Sequence, residues 1–152
     1  MERENNLSKD LVAPTCDFTV FGEVVGKGRP RFSTRNGFPQ AYTPKKTADY
    51  EKLIKSAYLE KYQPMMFESG AVGLIVLACI GVPKSASKKK QEYLIDYELP
   101  TKKPDADNII KVVMDALNGL AYTDDSQITY ISFRKRYSKE PFMEIHLWEV
   151  KE

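Results

Sequence analysis

The chain has 152 residues and a formal net charge of +2 at neutral pH. This length suits one globular domain, expected over residues 17–152, while residues 1–16 are polar, lack periodicity and are expected to form a loosely ordered lead-in. The small net charge does not by itself indicate a nucleic-acid binder. The N-terminus lacks an apolar signal core, and the most apolar run, residues 71–82, is too short to cross a bilayer. We therefore expect a cytoplasmic protein with no membrane role.

The first informative segment, residues 27–46, reads KGRPRFSTRNGFPQAYTPKK and contains no acidic residue. It follows a strand expected over residues 17–25, and Asn36-Gly37 predicts a two-residue hairpin turn. Its aromatic residues, Phe32, Phe38 and Tyr42, could stack on unpaired bases while the basic residues contact phosphates. The alternative is a solvated surface hairpin with its aromatic side chains in the core. The segment lacks the GxxxxGK[ST] pattern, so no nucleotide cofactor is expected.

Hydrophobic periodicity predicts the elements that follow. Thr43 as N-cap and Pro44 as first helical residue open a helix to about residue 62. Residues 71–82, apolar on both alternating faces, predict a central strand covered on both sides. Residues 83–90 form a loop into a short helix ending near residue 95, and two strands span residues 127–137 and 142–150. The stripe of the first helix is expected to be Tyr50, Leu53, Ile54, Ala57 and Tyr58.

This element order predicts an α+β fold: a single domain with a mixed β-sheet and helices packed mainly on one face. Cys16 and Cys79 form no CxxC pair, so we expect reduced, structural thiols. The single histidine, His146, lies in a predicted strand on the face opposite Met143 and Ile145. Its acid–base use would need partners from elsewhere, so zinc sites and histidine-dependent triads are disfavoured.

Residues 103–127, KPDADNIIKVVMDALNGLAYTDDSQ, carry the strongest pattern. Asp105 and Asp107 are one residue apart before a helix, and alternation puts them on the same side of the chain. Asp124 and Asp125 form a second acidic pair after that helix. Carboxylates from a loop, a helix start and a turn are the kind of ligand that Mg²⁺ takes in proteins. The segment therefore indicates a metal-dependent phosphoryl-transfer site.

The helix within this segment is expected to have Asp107 as its N-cap and to end before Asn118-Gly119. Asp107, Lys111 and Asp115 lie four residues apart on one face, and Asp115 is expected to pair with Lys111. The core stripe is expected to consist of Ile110, Val113, Met114 and Leu117.

Each acidic feature also has a plain explanation. Asp107 could act only as a cap, and Asp124-Asp125 could form a simple turn. Clustered carboxylates, however, raise one another's pKa unless a cation compensates. Taken together, the acids favour a metal site.

The run KPDADNIIKVVMDALNGLAYTDDSQI closely resembles the core of RusA-type Holliday junction endonucleases, in which K-x-D-x-D-N precedes a lysine, D-A-L, and an acidic pair followed by a small residue and Gln. The upstream GKGRPRF and AYTPKKTADYE are similar to prophage and Gram-positive members. The resemblance covers most of the chain beyond residue 17 and identifies residues 17–152 as a RusA-like endonuclease domain. Ala106 stands where relatives carry a larger apolar residue, which leaves the sequence preference at the cut open.

The resemblance implies a nuclease of DNA recombination and repair that resolves four-way junctions by paired symmetrical nicks, using Mg²⁺ or, in its place, Mn²⁺. The family's functional residues fall on Asp105, Asp107 and Asp125 as metal ligands and on Lys111, with Asp124 as a candidate further ligand. A homodimer is implied, which suits the two-fold symmetry of a junction. The residues expected to contact DNA phosphates are Lys27, Arg29, Arg31, Arg35, Lys88, Lys89 and Lys90.

Two alternatives stay open. One is a non-catalytic, structure-specific DNA-binding protein of a prophage, in which the acids are caps and surface pairs and the lysine run at residues 88–90 is a solvated face. The other is a related nuclease that acts on flaps or replication forks.

Overall fold

The computed structural model describes residues 15–151, and for Arg35 only the backbone. Residues 1–14 of the expected lead-in and residue 152 lie outside the described range. In chain order the elements are β1 (Thr15–Phe21), β2 (Arg31–Arg35), β3 (Phe38–Tyr42), α1 (Lys45–Leu59), β4 (Val72–Gly81), α2 (Lys88–Tyr97), α3 (Ala106–Leu117), a 3₁₀ turn (Asp125–Gln127), β5 (Ile128–Ser138) and β6 (Phe142–Glu149).

The main sheet has four strands in the order β1-β6-β4-β5. β4 pairs parallel with β5 and antiparallel with β6, and β6 pairs antiparallel with β1. The sheet is therefore mixed, and the apolar run that predicted a central strand does form an interior strand. Both the α+β class and the mixed sheet are confirmed.

One face of this sheet and the helices form the core. α1 packs against β1 and α3, and α3 also contacts β5. Every second residue of β1 and β6 is buried, among them Phe18, Val20, Ile145 and Leu147. The alternation follows from the pleat, which turns successive side chains to opposite faces. The prediction of helices mainly on one face is confirmed.

The second face of β4 is less covered than predicted. Leu74 and Val76 are fully buried, whereas Ile75 and Leu77 are partly exposed. The Trp148 ring lies where a side chain at Gly73 would have to be, with its nearest atom within 3 Å of an ideal Cβ. Trp148 therefore covers part of this face in place of a helix.

The β1 boundaries differ from the prediction. The strand begins at Thr15, so residues 15 and 16 belong to the domain and not to the lead-in. It ends at Phe21 because Gly22 has a φ of 104°, which breaks the extended chain. Cys16 is fully buried, and burial raises the pKa of its thiol to about 11. Cys16 and Cys79 are both free and buried, as expected for structural thiols.

The helix starts also differ. Pro44, not Thr43, holds the N-cap position of α1, and the helix ends at Leu59. α2 begins at Lys88 behind a Ser87 cap, so the three lysines lie in its first turn and not in a loop.

The buried faces of the helices differ in part from the predicted stripes. In α1, Leu53, predicted to be buried, is exposed, while Thr47 is buried. Within α3 the fully buried residues are Ile109, Val112, Val113, Ala116 and Leu117. Val113 and Leu117 were predicted, Met114 packs against the core while partly exposed, and the prediction of Ile110 in the stripe is wrong.

β2 and β3 form a separate two-stranded hairpin. Asn36 and Gly37 have φ values of 56° and 80°, as the predicted turn requires. Phe32 and Phe38 are exposed, so the alternative that placed the hairpin's aromatic side chains in the core is wrong. None of the helices among residues 15–151 is long and apolar enough to cross a membrane.

Candidate active site

Asp105 and Asp107 lie at the start of α3 with their side chains exposed. Asp105, not Asp107, is the N-cap, because Ala106 is already helical and the Ile109 amide donates to the Asp105 carbonyl at 3.0 Å. The Asp105 side chain makes no capping hydrogen bond. The prediction that Asp107 caps the helix is therefore wrong, and the capping explanation accounts for neither carboxylate.

The segment before Asp105 is held by a lysine of β5. The Nζ of Lys135 donates to the carbonyls of Lys102 at 2.8 Å and Pro104 at 3.0 Å. These hydrogen bonds hold the turn that leads into α3, because one ammonium binds two carbonyls of that turn. This contact is not predictable from local sequence patterns, because residues 104 and 135 belong to elements that are distant in the chain.

The loop at residues 26–28 packs between α1 and α3. The Lys27 amide donates to the Asn108 carbonyl at 2.8 Å, and the Gly28 amide donates to Thr47 Oγ1 at 2.9 Å. A Cβ at Gly26 would lie 3.1 Å from Asn108 Cβ, and one at Gly28 would lie 3.0 Å from Thr47 Oγ1. Glycine is needed here because the loop backbone approaches both helices so closely.

Lys27 joins the two helices through ion pairs. Its Nζ lies 2.6 Å from Glu51 Oε1 on α1 and 3.1 Å from Asp115 Oδ2 on α3, and the three side chains are only 15–32% exposed. Burial opposes the charged form of Lys27, but hydrogen bonds and attraction from both carboxylates outweigh it, and the pKa of Lys27 rises above its usual value. The ammonium predicted to contact DNA is thus already engaged inside the protein.

The predicted pair between Asp115 and Lys111 does not form, because Asp115 turns to Lys27. Lys111 is exposed and takes part in no ion pair within residues 15–151. It follows Asp107 by one helical turn on the same face.

The second acidic pair forms a capped 3₁₀ turn. Asp124 accepts hydrogen bonds from the Ser126 side chain and amide, and these lower the pKa of its carboxyl. The Gln127 side chain accepts from the Asp124 amide and donates to the carbonyls of Phe67 and Gly70 at 3.2 and 3.0 Å. Asp124 thus serves the turn, while Gln127 ties it to the segment before β4.

The Tyr122 side chain connects the segment that precedes the acidic turn to α3. Its hydroxyl donates to the Met114 carbonyl of α3 at 2.7 Å. Burial, followed by the negative charges of Asp125, Asp115 and Asp124, raises the pKa of the phenol.

The three predicted ligands do not form a ready-made cluster. Among residues 15–151, no group of three or more His, Cys, Asp or Glu side chains is placed to hold a metal ion. The structure brings Asp105, Asp107 and Lys111 to the start of α3 and its first two turns, whereas Asp125 lies in the 3₁₀ turn that follows α3 in the chain.

A basic groove leads to Asp105. One cavity of about 630 Å³ is lined by Asp105 together with Arg29, Arg31, Lys46 and Lys103. A second, of about 670 Å³, shares the walls of Glu23, Val24, Lys103 and Pro104 and adds Lys84 and Lys139. We call the two together the basic groove. The predicted phosphate contacts Arg29 and Arg31 belong to it, whereas Lys88, Lys89 and Lys90 are exposed but line neither cavity.

Exposed carboxylates beside a lysine- and arginine-lined groove, on a mixed α+β domain, characterise a candidate enzyme of nucleic-acid phosphoryl transfer. The comparison with protein families narrows this class. The chain belongs to the RusA endodeoxyribonuclease family, whose model, described as Endodeoxyribonuclease RusA, matches residues 22–148. The predicted family is thereby confirmed.

A relative in Bacillus subtilis (strain 168), the uncharacterized protein YqaN, is 40% identical over 136 residues. The match covers 88% of this chain and 95% of that protein. Membership of the family indicates a nuclease.

Proposed function

We propose that this protein is a Mg²⁺-dependent, structure-specific endodeoxyribonuclease that resolves Holliday junctions by paired symmetrical nicks in DNA recombination and repair. The observation that carries the proposal is the pair of exposed carboxylates, Asp105 and Asp107, at the start of α3, with Asp105 lining a groove rich in arginine and lysine. Membership of the RusA family supports it, because that family indicates Holliday junction resolvase activity.

The donor set fits a hard divalent cation. Mg²⁺ usually binds one or two protein carboxylates and completes its coordination with water and substrate phosphate oxygens. Asp105 and Asp107 supply two carboxylates that no capping bond or ion pair within residues 15–151 engages. Asp125 is the proposed third ligand, contributed by the 3₁₀ turn that follows α3 in the chain. Asp124 is less suited, because its carboxylate already accepts from Ser126.

When bound, Mg²⁺, or Mn²⁺ in its place, supplies a water of lowered pKa and offsets negative charge at the phosphate. The chain's own residues position the DNA. Arg29 and Arg31 hold phosphates along the basic groove, and Lys111 stabilises charge that develops on the phosphate, because its exposed ammonium lies one turn from Asp107.

The lysines at residues 88–90 form a second proposed phosphate contact. They lie in the first turn of α2, and that turn contains no acidic residue. Positive charge is unfavourable at this end of a helix, because the macrodipole is already positive there. Phosphate binding therefore explains the three lysines better than a contribution to helix stability does.

We further propose that the protein acts on cytoplasmic DNA as a homodimer. A four-way junction has two-fold symmetry, and a cyclic dimer presents two identical sites related by the same symmetry. Each protomer would then nick one of two opposing strands.

The test is cleavage of a labelled four-way junction with Mg²⁺ and with EDTA. We expect paired cuts in opposing strands with Mg²⁺ only. Asp107→Asn should abolish cutting while junction binding, measured in EDTA, stays within about threefold of the unmodified protein. The matched control is Asp96→Asn, because Asp96 is also an exposed helical aspartate but lies on α2, outside the groove.

Three outcomes would contradict the proposal in different ways. Junction binding without metal-dependent cutting would favour the non-catalytic DNA-binding protein. Faster cutting of flaps or forks than of four-way junctions, in the same substrate panel, would favour the related nuclease. Undiminished cutting by Asp107→Asn would remove Asp107 from the site.

A further inference from the structure

The hairpin of β2 and β3 exposes large aromatic side chains without packing them on the body of the protein. Phe32 is 74% exposed, Phe38 72% and Tyr42 47%. Exposed aromatic groups clustered on one small element mark a surface that contacts another molecule. The basic groove does not account for them, because neither cavity is lined by any of the three.

The strand register sorts the aromatic residues onto two faces. Arg31 lies opposite Tyr42, Ser33 opposite Gln40, and Phe32 opposite Ala41. Residues directly opposite each other share a face, and faces alternate along a strand. Phe38 and Tyr42 therefore share one face with Arg31, which we call the Arg31 face, while Phe32 lies on the other.

The Arg31 face is continuous with the basic groove. Arg31, at the base of the hairpin, lines the same cavity as Asp105. Phe38 follows the Asn36-Gly37 turn at the tip, four residues and roughly 13 Å along the strand from Tyr42. Residues 27–46 contain no acidic residue, so the charge of this surface complements nucleic acid.

We propose that the Arg31 face recognises the branch point of DNA by stacking Phe38 and Tyr42 on exposed bases. Within a linear duplex every base is covered by its neighbours, whereas at a branch the helical stacks end and base faces become accessible. Aromatic side chains stack on such bases whatever the sequence, because every base has a π-face. This inference rests on the proposed function and adds the residues that select branched over linear DNA.

The experiment compares four truncations: Phe38→Ala and Tyr42→Ala on the Arg31 face, Phe32→Ala on the other face, and Tyr97→Ala as a remote control. Tyr97 is 77% exposed on α2, so its truncation removes an aromatic ring about as exposed as that of Phe38 or Phe32. Binding is measured in EDTA with a four-way junction and with a linear duplex of the same length. The junction carries 2-aminopurine at the branch, whose fluorescence is quenched by stacking.

We expect Phe38→Ala and Tyr42→Ala each to weaken junction binding about tenfold, since base–aromatic stacking contributes roughly that much per base. Both variants should reduce the 2-aminopurine quenching. Duplex binding should stay within about twofold of the unmodified protein, as should every measurement on Phe32→Ala and Tyr97→Ala. Thermal melts should be unchanged, because the truncated side chains are exposed.

The inference is overturned if Phe38→Ala and Tyr42→Ala weaken junction and duplex binding equally, or leave quenching intact. It is also overturned if Phe32→Ala has the larger effect, or if the two variants change the oligomeric state in sedimentation, which would make the face a protomer contact. Cleavage assays keep the two proposals separate. A protein that quenches the probe but never cuts refutes the nuclease function alone, and one that cuts with no effect of either variant refutes this inference alone.

Discussion

Replacing Lys27 by methionine removes the cation that links α1 and α3 and keeps most of the side chain's apolar stem. Glu51 and Asp115 then remain, with carboxylates that both contacted the same nitrogen at 2.6 and 3.1 Å. They would repel each other in a site that is only partly open to water. We expect Lys27→Met to destabilise the protein and to loosen α3, which carries the candidate site.

The magnitude follows from burial. An exposed ion pair contributes about 0–1 kcal/mol, whereas breaking a fully buried pair costs about 3–5 kcal/mol. The side chains of Lys27, Glu51 and Asp115 are 15%, 18% and 32% exposed, which places this network between the two cases. We expect the free energy of unfolding to fall by about 2 kcal/mol, which for a domain of this size lowers the Tm by roughly 4–8 °C.

The assay is urea unfolding of Lys27→Met and of a control, Lys45→Met. Lys45 pairs with Asp49 within α1 but is 91% exposed, so its loss should cost no more than about 0.5 kcal/mol. Because the folded protein raises the pKa of Lys27, its contribution is present below the ordinary lysine value of 10.5 and is lost as pH rises through the folded pKa. The difference between Lys27→Met and the unmodified protein should be constant from about pH 7 to 9 and shrink above about pH 10.5.

Unchanged stability of Lys27→Met would refute the reasoning, because the ion pairs would then not hold the helices. If the variant were instead fully stable but bound junctions about tenfold more weakly, Lys27 would be the phosphate contact that the sequence suggested. The structural role predicts a lower kcat with a smaller change in junction affinity.

Two further predictions concern the site. Lys111→Met should lower kcat for junction cleavage by about 100-fold, because its ammonium is proposed to stabilise charge that develops on the phosphate. Junction affinity, measured by gel shift, should change less than threefold. An equal loss of affinity would instead show that Lys111 acts by binding DNA. Gln127→Ala removes the hydrogen bonds to Asp124, Phe67 and Gly70, so it should lower the free energy of unfolding in urea by about 1–2 kcal/mol. It should also slow cleavage, because the turn that carries Asp125 is less well held. A variant as stable and active as the unmodified protein would show that these hydrogen bonds do not hold the turn.

Features of the fold that depend on residues close together in the chain could be predicted from the sequence. The Asn36-Gly37 turn depends on the backbone freedom of two residues, and the interior position of β4 follows from its apolar run. Helix starts were less readable: Asp105 and Asp107 are equally good caps, and the choice depends on how the preceding turn is held. Lys135, from a strand distant in the chain, holds that turn.

The lysines illustrate why the site was harder to predict than the fold. In the sequence, Lys27 belongs to a segment without acidic residues, which predicts a phosphate contact, whereas local spacing pairs Lys111 with Asp115. The structure differs from both predictions, because the glycines flanking Lys27 let its loop enter the gap between α1 and α3, where its ammonium contacts Glu51 and Asp115. Because Asp115 pairs with Lys27, Lys111 forms no ion pair on its own helix among residues 15–151, which agrees with its proposed contact to a phosphate.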